Sequence, residues 1–244
     1  MKARDPLLCL LAAAALTLAF PPYRWGFLAY WGLIPLLLLL QGKSPRETIR
    51  WSALFGLLLT ALAILVSGRM DPFSDMTTLA AHVLFHVLFA LLLLPLRRGW
   101  PRGYLFAVPF LWVAMEAGKS LLQADFQAFA LGYTQNYYLQ MILYTPAIGV
   151  YAVSFWVASL NVLLLGMWLR RHEPRWLAGL STLLLLAFAL PFALSRFITP
   201  NTRQLEEPKI EVRLLRKTKS SVSSLATLAI KPESDTILAA VALV

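Results

Sequence analysis

The chain has 244 residues, of which 59% are hydrophobic and only 14% charged, with a net charge of +10 and a mean hydropathy of +0.67. A soluble domain carries roughly a quarter of its residues as charges, so this composition excludes an ordinary soluble globular protein. It points to an integral, polytopic, all-α membrane protein.

In chain order the apolar runs fall at about 6–20, 25–41, 51–68, 77–96, 103–122, 141–169 and 176–196, and a hydrocarbon core calls for roughly 17 to 25 apolar residues per crossing. The first two runs are slightly short. Because the connecting loops are brief, neighbouring helices are predicted to be antiparallel, giving a transmembrane bundle of about seven spans.

The start, "MKARDPLLCLLAAAALTLAF", has the basic residues and apolar middle of a cleavable signal peptide. Against that reading, Ala12 to Ala15 lie in the middle of the run, and Phe20, Pro21 and Pro22 stand where a small-residue cleavage site is needed. A hairpin of the first two runs fits better. Its tip is "FPPYRWG", where the prolines end a helix and Tyr23 and Trp25 anchor at the interface.

The basic residues are unevenly spread. Threading the runs alternately puts Lys2, Arg4, Lys43, Arg46, Arg50, Arg97, Arg98, Arg102, Arg170, Arg171 and Arg175 on one side, leaving Arg24, Arg69 and Lys119 for the other. The positive-inside rule then predicts a cytoplasmic N-terminus and an extracytoplasmic tail after residue 197. The basic excess is a topology signal, and no nucleic-acid partner is expected.

Polar residues within the runs are costly and mark packing or function. Cys9, the single cysteine, excludes a disulfide within the chain and a multi-cysteine metal site, and it reads as a small packing residue. His82 and His86 are four apart on the fourth run, hence on one face. They are weak metal or haem candidates, since no third ligand is evident and helix packing accounts for them more simply. Ser154, Asn161 and Gly149 on the sixth run read as close-packing and hydrogen-bonding positions between helices. Glu116 lies towards the outer end of the fifth run with Lys119 three residues on, followed by the half-polar, aromatic stretch 119–140.

After residue 198 the character changes. "KIEVRLL" at 209–215 alternates like a short strand; a Ser-rich stretch follows, and the final apolar run is too short to cross a bilayer. Two domains are therefore predicted, a transmembrane domain over 1–198 and a tail over 199–244.

Three blocks, "LTLAFPPYRWGFLAYWGLIPLLLLL", "LWVAMEAGK" leading into "ALGYTQ", and "PAIGVYAVSFWVASLNVLL", together make a specific signal by order and spacing. In them the chain resembles the N-terminal membrane domain of apolipoprotein N-acyltransferase. It departs from the family pattern at Ala117, Gly118 and Lys119, where members usually have Trp-Leu-Arg after the glutamate, and at Asp125 to Ala128, where they usually have Gly-Phe-Pro-Trp. A lysine keeps the charge of an arginine but loses its planar fork.

The resemblance implies a bacterial inner-membrane protein of lipoprotein maturation. The family's reaction moves an acyl chain from a phospholipid, through a thioester, to the N-terminal cysteine amine of a lipoprotein; no cofactor is expected. It implies that residues 119–140 lie at the outer face, with Glu116, Lys119, Phe126, Phe129, Tyr133 and Gln135 as substrate- or lipid-facing candidates and Tyr137 and Tyr138 among the headgroups. The family's chemistry belongs to a Glu-Lys-Cys triad in a nitrilase-like domain after the seventh span. No catalytic residue is assigned in this chain: Cys9 is expected near the inner end of the first helix, and Pro232 and Glu233 come too early to match the family's catalytic glutamate.

Three functions remain open on sequence. One is an acyltransferase-like chain shortened or frameshifted so that its catalytic domain is lost. Another is a stand-alone scaffold that binds lipid or lipoprotein, or that works with a separate catalytic partner. The last is a small transporter or haem-binding bundle built on His82, His86 and Glu116.

Overall fold

The computed structural model describes residues 4–67, 72–101, 103–122, 129–138, 142, 145–198, 227–230 and 237–240. The chain divides into two compact units, 1–198 and 199–244. The first is all-helical, with α1 (Arg4–Ala19), α2 (Gly26–Leu40), α3 (Pro45–Ser67), α4 (Pro72–Gly99), α5 (Val108–Leu122), α6 (Val150–Leu169) and α7 (Pro174–Ile198). Among the described residues four segments are long and apolar enough to cross a membrane, namely Pro45–Val66, Met76–Gly99, Val150–Leu169 and Pro174–Phe197. In the second unit, β1 (Thr227–Ile230) and β2 (Ile237–Ala240) pair antiparallel, Thr227 opposite Ala240. The strand expected at 209–215 lies outside the described residues.

The predicted hairpin forms between α1 and α2, around the cis Pro21–Pro22 bond. Their crossing is close because small residues line it: Cys9, Ala12, Ala13 and Ala19 are fully enclosed, and a Cβ on Gly32 would meet Leu16 Cδ2 at 2.7 Å. Elsewhere α3 runs along α4, α5 packs on α6, and α1 leans on α3. A capping box starts α3, where Glu47 Oε2 accepts from the Ser44 N–H at 3.0 Å and Ser44 Oγ accepts from the Glu47 N–H at 3.4 Å.

Two expected spans are not continuous. The run 25–41 begins as a 3₁₀ turn over Gly26–Leu28 and is interrupted at Leu33, just before Pro35. There the Asn161 side chain of α6 inserts into the helix ladder. Its Oδ1 accepts from Leu33 N–H at 2.9 Å and its Nδ2 donates to Ala29 O at 2.7 Å, occupying both ends of one i→i−4 bond. The run 141–169 is broken at Gly149, whose φ of +82° and ψ of 164° suit only glycine, so that Thr145–Ile148 is a separate turn. Local backbone chemistry thus overrides apolar content, and hydropathy alone registers neither break.

The polar ends of the bundle are tied together. Lys43 donates to Asp5 at 2.6 Å, and the Arg97 guanidinium donates to the carbonyls of Leu40 and Lys43. The start of α1, the end of α2, the start of α3 and the end of α4 therefore meet. Away from them, the α1–α2 tip meets residues 134–138: Gln135 Nε2 donates to Gly26 O at 3.0 Å, and Tyr137 Oη donates to Pro22 O at 3.2 Å.

Candidate functional site

On α5, Trp112, Glu116 and Lys119 recur at helical spacing and share a face; on α4, His82 and His86 do the same. The two faces border one small cavity, closed by Thr60 of α3 and by Phe129. Glu116 and Lys119 are 3% and 2% exposed, so two ionisable groups are enclosed by the bundle. A charge at such depth is sustained only by polar partners.

Glu116 has them. Its Oε1 accepts from Trp112 Nε1–H at 2.7 Å, one turn back, and from Leu131 N–H at 2.8 Å, fifteen residues on. The Ser154 hydroxyl also interacts with this carboxylate while accepting from Gly132 N–H at 2.9 Å. Glu116 thus holds the main chain of the next segment against α5. That segment, a 3₁₀ turn over Leu131–Gln135, is fastened at each step. Thr134 Oγ1 donates to Leu131 O at 2.6 Å, Gln135 Oε1 accepts from Tyr30 Oη at 2.8 Å, and a Cβ on Gly132 would meet Val150 O at 2.6 Å.

The histidines pack in an aromatic box. His86 meets Trp112 edge-on at 5.6 Å and Phe55 at 5.1 Å, while His82 meets Phe129 at 4.9 Å. Each Nδ1 faces a main-chain carbonyl one turn back, Thr78 O at 2.9 Å and His82 O at 2.6 Å. A carbonyl only accepts, so each ring carries its proton on Nδ1. Among the described residues no three of His, Cys, Asp and Glu are placed to hold a metal ion, and Lys119 lines the same cavity as both rings.

Lys119 and Gln135, expected on the outer ledge, are both enclosed. Lys119 lies inside the bundle because its helical position follows Glu116 inward, and Gln135 is fully buried as a tether between Tyr30 and Gly26. Phe129 and Tyr133 are half-buried, and Phe126, with Asp125, falls outside the described residues. Tyr137 does reach the surface, 43% exposed, with the Arg24 guanidinium 5.4 Å from its ring centre. Sequence reasoning missed Trp112 and Tyr30. Trp112 was accessible through its i, i+4 spacing to Glu116; Tyr30, more than a hundred residues from Gln135, left no local signal.

The description "Apolipoprotein N-acyltransferase N-terminal domain" belongs to the family model that matches residues 12–163, a stretch running from the middle of α1 through most of α6 and holding the whole polar cluster. An apolipoprotein N-acyltransferase of Geobacter metallireducens is 34% identical over 171 residues, covering 66% of this chain and 33% of that protein. One of Chlorobaculum tepidum is 29% identical over 222 residues, covering 85% of this chain and 40% of that protein. The chain thus spans between a third and two-fifths of the length of these relatives. A match over more than half of the residues, which includes the segment that Glu116 fastens, makes the chain a member of the apolipoprotein N-acyltransferase N-terminal domain family.

Proposed function

We propose that residues 1–198 are the membrane platform of an apolipoprotein N-acyltransferase system in a bacterial inner membrane, presenting phospholipid and lipoprotein to an acyl-transfer centre at the outer face. The family match over 12–163 carries this reading. In it all seven helices are embedded in the bilayer, with the N-terminus cytoplasmic. The joined basic ends at Lys43 and Arg97 form the cytoplasmic end, and the tip at Pro22 to Gly26 with residues 129–138 forms the outer one. The ledge there is rigid underneath, through Glu116, Thr134 and Gln135, and aromatic above, through Tyr23, Trp25 and Tyr137, a combination suited to amphiphiles at the headgroup level.

The role proposed for these residues is positioning, not bond-making. Acyl transfer through a thioester needs a reachable thiolate, a base and donors for the oxyanion. The chain's one cysteine, Cys9, is fully enclosed in α1. A photoreactive residue in place of Tyr137, in cells, is expected to capture phospholipid and a lipoprotein intermediate, while one in place of Trp168, exposed at the opposite end, captures phospholipid alone. Equal lipoprotein capture at both positions overturns the assignment of the outer ledge.

A further inference from the structure

The cavity between α4 and α5 carries polar atoms that the described protein groups leave unmatched. Glu116 Oε2 and His86 Nε2 are both buried without a hydrogen-bond partner, although Glu116 Oε1 and His86 Nδ1 are well bonded. Lys119, seven residues after Trp112 on the same face, lines the cavity too. Among the described residues it makes no ion pair: the pair present is Lys43 with Asp5, at the joined basic ends.

The valences of these atoms select the occupant. His86, with its proton on Nδ1, offers a lone pair at Nε2. Glu116 Oε2 is a second acceptor. Lys119 is a donor and a cation. A metal ion or an amine would meet the ammonium of Lys119, and an anion would meet two acceptors. A neutral group with two O–H donors and lone pairs to accept with satisfies all three, and the space is large enough for a single water molecule.

We propose that one ordered water molecule occupies this cavity, donating to Glu116 Oε2 and His86 Nε2 and accepting from Lys119 Nζ, so that α4 and α5 are joined through solvent. The same carboxylate that grips Leu131 N–H through Oε1 is then fixed in rotation through Oε2. The hydrated site thereby steadies the Glu116 carboxylate that holds Leu131 N–H.

A structure of the full chain in lipid nanodiscs, at a resolution that shows solvent, is expected to contain an isolated peak within hydrogen-bond distance of all three atoms. An empty cavity, a direct contact between Lys119 Nζ and Glu116 Oε2, or density continuing into an alkyl chain overturns the proposal. Infrared difference spectra in H₂¹⁸O give an independent reading. The wild-type chain is expected to show an isotope-shifted O–H band from a buried water, lost in both His86→Phe and Lys119→Met. Absence of that band in the wild type, or its persistence in both variants, overturns the proposal as well.

Discussion

Replacing Glu116 by leucine tests whether the carboxylate seats the 131–135 turn. The substitution keeps the volume roughly constant and removes the acceptor for two buried donors, Trp112 Nε1–H and Leu131 N–H. An unpaired buried N–H costs about 1–3 kcal/mol, whereas hydrogen bonds between membrane helices average nearer 0.6 kcal/mol. The Leu131 N–H lies within a fastened turn and has no ready second partner, so the sum for the two donors should be about 3 kcal/mol, roughly two powers of ten in the folding equilibrium. Glu116→Gln keeps a carbonyl in the same place and loses only the charge. A charged acceptor exceeds a neutral one by about 1 kcal/mol per bond, which over two bonds puts the glutamine variant near two-thirds of the leucine loss. Equilibrium unfolding in mixed micelles, followed by tryptophan fluorescence, reads both. A leucine variant within about 0.5 kcal/mol of wild type would refute the tether, because that is the scatter of substitutions that touch nothing.

Other substitutions probe the remaining fastenings. Gly26→Ala should lower thermal stability sharply, since a Cβ there would stand 2.1 Å from Thr134 O, whereas Gly179→Ala, with nothing within 4 Å, should be neutral or stabilising by up to about 1 kcal/mol in the same melt. Asn161→Leu should cost about 1 kcal/mol or somewhat more by losing its bonds to Leu33 and Ala29, softened if that ladder bond closes by itself; hydrogen exchange at Leu33 distinguishes a closed ladder from an open one. Cys9 should resist a maleimide in the folded protein and react once detergent unfolding exposes it, as mass spectrometry would register; rapid labelling of folded protein would contradict its enclosure in α1.

Much of the bundle was legible because hydropathy reports burial in lipid directly. The runs at 51–68, 77–96 and 176–196 correspond to α3, α4 and α7, and the FPPYRWG tip was readable from proline chemistry. The interruptions at Leu33 and Gly149 were not, because each depends on one residue's hydrogen bonding or φ, which a hydropathy average hides. At the site, Glu116 stood out as a carboxylate in an apolar run. Its partners on other segments did not: Leu131 contributes a main-chain N–H, which no side-chain pattern advertises, and Ser154 reaches the carboxylate from α6. The inward setting of Lys119 was hidden for a related reason. Its sequence neighbourhood is polar, but its helical phase points it at His82 and His86.

If this bundle serves as an acyltransferase membrane platform, a chimera built on it should support acyl transfer. Residues 1–198 would replace the matching region of the Geobacter metallireducens relative, in cells depleted of their own enzyme, with N-acylation of a reporter lipoprotein read by mass spectrometry. Acylation is expected at a rate within about tenfold of the intact relative, a difference of about 1.4 kcal/mol in barrier height. A chimera present in the membrane at the relative's level yet leaving the reporter's amine free would contradict it.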